Sequence, residues 1–492
     1  MDSQSNPLHI IFFPFMDHGH MIPTINMAKL FVSKGVKATI VTTPLNKPMV
    51  SNAIEQSKIQ YSNNNIDIQT IKFPCVEGGL PEGCENVAAI PSPSLVPTFF
   101  NATKLLQKPF EELLLQQKPD CIIADMFFPW ATDSAEKFGI PRIVFHGTSF
   151  FSLCAGQCMK QYEPHKNVSS DTELFEIPNL PGNIKLTRLQ LPRIFTEDDH
   201  ITKNITKLFA EIRESEVKSY GVIVNSFYEL ESVYVDYYRE VLRTKEWHIG
   251  PISIHNRIKE EELTSYSRGK ETSIDKHYCL KWLDTKKNNS VVYLCFGRTT
   301  SFRNSQLREI AMGLEAAEHN FIWVVKKKNG DGEKCILERF ERRMKGKGLI
   351  IRGWSPQRLI LEHKAIGAFV THCGWNSTIE AVTVGVPMIT WPVGAEKFYN
   401  EKLVTDVLKI GVAVGVKKWV GVVGDSVKWS AVEKAVKRIM EGEEAEEMRK
   451  KVKLLAQMAK KAVEEGGSSS SQLNAFIEEL GLVCNQQCIS KE

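Results

Sequence analysis

Apolar residues in the first half of the chain fall in short runs, each followed by a segment with helical spacing. LHIIFFPF at residues 8–15 is such a run, continuous as in strands buried on both faces. The segment after it puts Ile25, Ala28 and Phe31 on one helical face, with Pro23 expected in the first turn and Gly35 closing it. VKATIVTT (36–43) is the next strand and completes a βαβ unit. PDCIIAD (119–125) and IPRIVFHG (140–147) flank another helical segment, the alternation a parallel sheet requires.

The pattern restarts at SVVYLCFG (290–297), passes through a helix near Ser305–Glu318, and returns with FIWVVKK (321–327). GLIIRGW, AIGAFVTHC and VPMITWPV are further strands. The α/β pattern predicts two facing, doubly wound domains at 1–250 and 281–465, joined by a linker at 251–280 whose polar stretch from His255 to about Lys276 has little periodicity. Residues 466–492 form a tail in which a helix, about Ser470–Leu480, packs back across either domain. In such sheets a ligand lies beyond the carboxyl ends of the strands. The loops after Phe15, Ala124, Val144, Phe296, Val370 and Val393 are therefore expected to converge on a cleft.

Charge excludes some partners. Lys and Arg total 62 against 58 Asp and Glu, and a net charge of +4 over 492 residues offers no attraction to nucleic acid or acidic membranes. The N-terminus lacks a basic start and a cleavage site, and no apolar stretch reaches the roughly 20 residues that span a bilayer. A cytoplasmic monomer without stable membrane insertion is expected. The 11 scattered cysteines then read as small buried hydrophobes.

HCGWNSTIE (372–380) is the densest cluster of chemistry. It joins a strand to a helix, and the free N–H groups of a helix start attract an anion such as a phosphate. Gly374 permits close approach, and His372, Asn376 and Ser377 offer donors, His372 as a neutral N–H or as a cation. Glu380 has a second reading: Ser377 followed three residues later by Glu is a capping box. His372 and Cys373 have no second pair at zinc spacing, and at a strand end Cys373 reads as core rather than nucleophile. Two histidines, His18 and His20, follow the first strand, and Asp125 ends PDCIIAD.

From Trp354 to Lys397, WSPQRLILEHKAIGAFVTHCGWNSTIEAVTVGVPMITWPVGAEK resembles the signature box of plant UDP-sugar-dependent glycosyltransferases. FPFMDHGHMIP, PCVEGGLPEGCEN, ADMFFPWATDSAEKFGIPR and VNSFYELE are similar to the subgroup acting on flavonoids and triterpenoids. The resemblance implies the GT-B architecture, with acceptor held mainly by the first domain and UDP-sugar by the second. It implies stacking of Trp354 on uracil, with the Ser355 backbone reading its edge, and ribose binding by Gln357 and Glu380. It gives His372, Asn376 and Ser377 the diphosphate, with Gly374 at the turn, and Trp375 and Glu396 the sugar. Core packing is the other reading of the two tryptophans.

The family's GHxxP pattern, here Gly19, His20 and Pro23, assigns His20 as general base and leaves His18 beside it. A neutral histidine suits that task because its ordinary pKa is about 6.5. Asp125 would hold its tautomer, as in the serine hydrolases; the alternative is a helix cap. The implied reaction is one inverting displacement in which a small lipophilic hydroxyl compound takes the sugar, glucose by default, from UDP. No metal or other cofactor is expected. The apolar stretches 74–100, 146–165 and 185–205 are candidates for the acceptor pocket.

Two positions depart from the family pattern. Lys397 closes the box where Gln or His is usual, and Arg298 replaces a small residue in CFGRTT. Lysine donates but cannot accept, which opens the donor sugar to alternatives, including glucuronic acid, xylose, galactose and rhamnose. Two other functions remain: a donor-impaired relative that only binds small molecules, and a UDP-sugar epimerase.

Overall fold

A computed structural model describes residues 7–58, 66–255, 276–298, 300–326 and 331–489. Most of the expected linker, 256–275, lies outside the described residues. The strands are β1 (His9–Phe13), β2 (Lys37–Thr42), β3 (Ile66–Thr70), β4 (Cys121–Asp125), β5 (Arg142–His146), β6 (Leu174–Glu176), β7 (Lys185–Thr187), β8 (Gly221–Val224) and β9 (Glu246–His248). They continue with β10 (Val291–Cys295), β11 (Asn320–Val325), β12 (Gly348–Arg352), β13 (Ile366–Thr371), β14 (Met388–Thr390) and β15 (Gly411–Ala413).

Two all-parallel sheets result, one ordered β3-β2-β1-β4-β5-β8-β9 and the other β12-β11-β10-β13-β14-β15. The predicted α/β class is correct. Every residue of β1, β4, β5 and β13 is buried, as expected of strands covered on both faces. In each sheet the chain winds outward on one side, returns to the centre, and winds outward on the other. The order reverses between β1 and β4 in the first sheet and between β10 and β13 in the second. Loops leaving such a pair diverge and leave a crevice at the strand ends.

The structure corrects the sequence reading of the fold in three places. The helix after β1 begins at His18, because the Asp17 carboxylate accepts from the Gly19 N–H at 2.9 Å. Pro23 therefore lies inside the helix, beyond its first turn. Residues 150–196, placed by the sequence pattern in the first domain, group with the second compact unit. The units are Met1–Ser149, Glu197–Tyr266 and Lys461–Glu492, and Phe150–Thr196 with Ser267–Lys460. Bonds far apart in sequence draw that segment over: Ser152 donates to Asn400 at 2.8 Å, and the Trp419 N–H to the Leu189 carbonyl at 2.7 Å. The last helix is longer than expected, Ser468–Ile489.

That helix belongs to the first unit. Leu473, Phe476 and Leu480 are fully buried in the core that also holds Phe31, Ile223 and Trp247. Phe476 meets Phe31 and Trp247 edge to face, with centroids 5.6 and 4.8 Å away. Ser469 donates to the Gly250 carbonyl, and Glu479 accepts from Tyr220 and Lys245. Phe476→Ala removes this wedge and is expected to cost about 3–5 kcal/mol, read as a lower urea midpoint. A loss below about 1 kcal/mol would show that the helix is not part of the first unit's core.

Candidate active site

His20 and Asp125 come together because β1 and β4 are neighbours, with Phe13 paired to Ala124. Asp125 is the last residue of β4, and His20 lies in the first turn of the Asp17-capped helix. Their Nδ1 and Oδ2 atoms are 2.6 Å apart, with Asp125 buried and His20 partly open. A carboxylate only accepts, so Nδ1 carries the proton and Nε2 is left as the basic atom. The other Asp125 oxygen accepts from the Phe127 N–H at 3.0 Å. The following helix, Trp130–Phe138, has Pro129 at its N-cap and no side-chain cap, which removes the capping alternative for Asp125.

The imidazole is packed on several sides. Phe15 meets it edge-on at 5.7 Å and Phe127 lies 5.4 Å away. Behind it Gly147 leaves room, since a Cβ there would be 3.3 Å from Cε1 of His20. Phe100 stacks on Phe15 at 5.3 Å and touches Phe127 at 5.1 Å, extending an aromatic wall beside the histidine. His18, the other histidine, is half-buried at the helix start.

In the second unit the equivalent strand ends pair Cys295 of β10 with Thr371 of β13. His372 follows, held between two glycines: a Cβ on Gly297 or Gly374 would lie 2.7 Å from its ring. Its Nδ1 is buried and has no hydrogen-bond partner among the described residues. Burial, and then the nearby Lys397 ammonium, push its pKa well below the ordinary value. His372 is therefore neutral at pH 7 and offers an N–H rather than the cation the sequence allowed. Cys373 next to it has φ +64°, a left-handed conformation for a residue with a side chain. Its thiol is fully buried and its pKa is raised well above normal by burial and Glu401, which suits core packing.

The helix Trp375–Val384 starts at Gly374 without any side-chain cap. This overturns the capping-box reading of Ser377 and Glu380. Gln357, 23 residues earlier, donates to Glu380 at 2.8 Å and to Ser377 at 3.2 Å. Burial raises the Glu380 pKa, opposed by that bond. Gln357, Ser377 and Glu380 thus form one polar cluster beside an uncapped helix start, where Asn376 is half-buried. Ser355 is pinned through its hydroxyl to Tyr293 at 2.9 Å. Trp354 is half-buried, whereas Trp375 is only 2% exposed and packs inward.

Beyond β14, Glu396 accepts from Asn400 at 3.3 Å, and the half-buried Lys397 donates from Nζ to the Val393 carbonyl at 2.7 Å. Lys397 is thereby tied back to the chain rather than extended into solvent. Arg298 is exposed in the loop after β10. Among the described residues no cluster of His, Cys, Asp or Glu could hold a metal ion, and no helix is long and apolar enough to cross a membrane.

Sequence reasoning missed Phe127, Gly147, Gly297 and Asn400. The glycines follow strands, as His372 does, and could have been found by asking what frees space at a strand end. Phe127 and Asn400 gave no local signal, since His20 and Phe100 for the one, and Ser152 and Cys373 for the other, are distant in sequence.

A histidine held by a buried aspartate on one doubly wound sheet, and neutral donors around an uncapped helix start on a second, suit a nucleotide-dependent transferase. Comparison with known proteins makes this particular. The chain belongs to the UDP-glucoronosyl and UDP-glucosyl transferase family, whose model matches residues 274–458. It is 54% identical to scopoletin glucosyltransferase of Nicotiana tabacum over 96% of this chain and 98% of that protein. With UDP-glucose flavonoid 3-O-glucosyltransferase 7 of Fragaria ananassa the identity is 53%, covering 96% of each. The crystal structure of Glycyrrhiza uralensis UGT73P12 complexed with glycyrrhetinic acid 3-O-monoglucuronide matches with a TM-score of 0.90 and 40% identity, covering 99% of this chain and 98% of that one. The protein is a UDP-glycosyltransferase of the GT-B class, as the signature box implied.

Gly297→Ala tests the His372 seat. It adds a Cβ 2.7 Å from the ring at a φ of +69°, and is expected to weaken UDP binding about tenfold by calorimetry, ~1.4 kcal/mol. Gly346→Ala is the control, because φ is +85° there but nothing lies within 4 Å. Equal affinity in both variants would count against the expected contact between His372 and the diphosphate.

Proposed function

We propose that the protein transfers glucose from UDP-glucose to a hydroxyl of a flavonoid, another flat phenolic or a triterpenoid, inverting the anomeric centre in one displacement. The 2.6 Å bond between His20 and Asp125 carries this reading, because it leaves Nε2 able to take the acceptor's proton and sets a carboxylate against the imidazolium that forms. The acceptor lies against Phe100 and Phe127, which the buried Phe15 backs and which supply apolar area beside the base. Its oxygen attacks the anomeric carbon and UDP leaves. Trp354 and the Ser355 backbone hold uracil, and Gln357 with Glu380 accept and donate to the ribose hydroxyls. Charge growing on the diphosphate is met by His372, Asn376, Ser377 and the N–H groups beyond Gly374. The sugar is met by Glu396, Lys397 and the backbone at Trp375. No metal is needed for these steps.

The assignment of glucose and of a phenolic or triterpenoid acceptor is supported by the relatives, named as glucosyltransferases of scopoletin and flavonoids or solved with a glycyrrhetinic acid glucuronide. A monomer acting in the cytoplasm fits thiols such as Cys75, Cys84 and Cys121, which are buried within the cores.

His20→Ala is expected to abolish glycoside formation with a flavonoid and a triterpenoid acceptor, read by product mass, with UDP affinity unchanged. Asp125→Asn is expected to lower kcat by about 10²–10⁴-fold. Turnover retained by His20→Ala would move the base to His18. Release of UDP without any acceptor, accompanied by conversion of the sugar, would favour an epimerase.

Lys397 decides between donors. Its ammonium sits near His372 and donates to a backbone carbonyl, and a uronate carboxylate on the donor would bring it a charged acceptor. In wild type the kcat/KM ratio of UDP-glucuronate to UDP-glucose is expected to exceed that of Lys397→Gln by about tenfold, the worth of one charge-assisted bond. Equal ratios in the two proteins would sink the ion pair and leave glucose the sole donor proposed.

A further inference from the structure

Asn400 lies outside the signature box, in the helix Lys397–Lys402, and is fully buried. Its carboxamide joins three segments of the second unit. Nδ2 donates to the Cys373 carbonyl at 2.9 Å and to Glu396 Oε1 at 3.3 Å, while Oδ1 accepts from the Ser152 hydroxyl at 2.8 Å. The chemistry fixes the amide's orientation. A carbonyl and a carboxylate only accept, so both demand the NH₂ end, and the oxygen is left facing the Ser152 hydroxyl, which donates. Cys373 is the left-handed residue between His372 and the helix start, and its carbonyl direction sets where that turn points. Ser152 comes from the helix Phe150–Tyr162, more than two hundred residues earlier.

We propose that Asn400 is a positioning residue of the donor site, holding the Glu396 carboxylate and the Cys373 turn in one arrangement, with Ser152 fixing which way its amide faces. The inference rests on the reading that Glu396 meets the donor sugar. Asn400 itself touches no substrate. It acts by restricting two groups that do, or that adjoin those that do, and restriction of about one rotamer is what separates a formed site from a loose one. A polar residue is needed there because an apolar one of the same size would leave the buried Cys373 carbonyl without this donor. The geometry also makes the segment 150–162 a support of the donor site, although its sequence position suggests only the acceptor side.

The test exchanges hydrogen-bond polarity. Asn400→Asp keeps the shape but sets acceptor against acceptor at both bonds. It is expected to lower kcat/KM for UDP-glucose at least fiftyfold, while calorimetric affinity for UDP, which has no sugar, falls at least tenfold less than that. In Glu396→Gln/Asn400→Asp the pair is complementary again with donor and acceptor swapped, so adding Asn400→Asp to Glu396→Gln is expected to lower kcat/KM at least tenfold less than adding it to wild type. Ser152→Ala is expected to lower kcat/KM three- to tenfold. Unchanged kcat/KM in Asn400→Asp, equal losses of UDP affinity and kcat/KM, or the same loss from Asn400→Asp in the wild-type and Glu396→Gln backgrounds would each overturn the proposal. Failure of the underlying reading shows separately, as Glu396→Gln alone leaving kcat/KM for UDP-glucose unchanged.

Discussion

The reversal of strand order at the centre of each parallel sheet is the constraint on which the rest depends. A strand inside a parallel sheet must send its chain over one face or the other, and where two neighbours send it opposite ways the loops separate. β1 and β4 do this in the first sheet, β10 and β13 in the second. Each pair leaves a histidine at the opening. In one case the neighbouring strand ends in Asp125, which accepts from Nδ1 of His20 and leaves Nε2 basic; in the other the neighbouring loop offers Gly297, and His372 is packed between glycines. The same architecture thus yields two chemically distinct imidazoles. One keeps a basic nitrogen and an anion to balance its cation. The other is held neutral by burial and by Lys397.

The second opening is organised by local stability given up. A helix start without a cap forgoes about 1 kcal/mol, and a left-handed cysteine costs about 1–2 kcal/mol. Such costs concentrate where a backbone must face a ligand instead of itself. Surrounding bonds hold the arrangement in place: Gln357 to Glu380 and Ser377 on one side, Asn400 to Cys373 on the other. Neither Ser377 nor Glu380 is spent on the helix end, which keeps both oriented as a polar cluster.

The strands were legible because continuous apolar runs leave little choice of environment. β1, β4, β10 and β13 all lie within the runs that the pattern marked. The class of site was legible because the box from Trp354 to Lys397 is long and evenly spaced. Errors arose where a local rule met a distant competitor. Ser377 and Glu380 have capping-box spacing, yet Gln357 claims both. Pro23 suggested a first turn, yet the Asp17 cap starts the helix earlier. Residues 150–196 follow the first sheet's rhythm, yet Asn400 and Trp419 anchor them elsewhere. The apolar stripe Leu473, Phe476, Leu480 announces a buried helix but carries no address. Asn400 was invisible for the same reason: an amide's value lies entirely in the partners that folding brings.

The crossing of the two units along the chain has a consequence for synthesis. The first unit's core is completed by a helix that begins at Ser468, after every strand of both sheets. On a ribosome delivering residues from the N-terminus, the second unit has all of its segments by Lys460, while Phe31 and Trp247 still await Phe476. The domain begun first is therefore the one finished last. Until then the core beside its seven-stranded sheet lacks Leu473, Phe476 and Leu480, so the release of the last helix, rather than the appearance of the first strand, sets when this core can close.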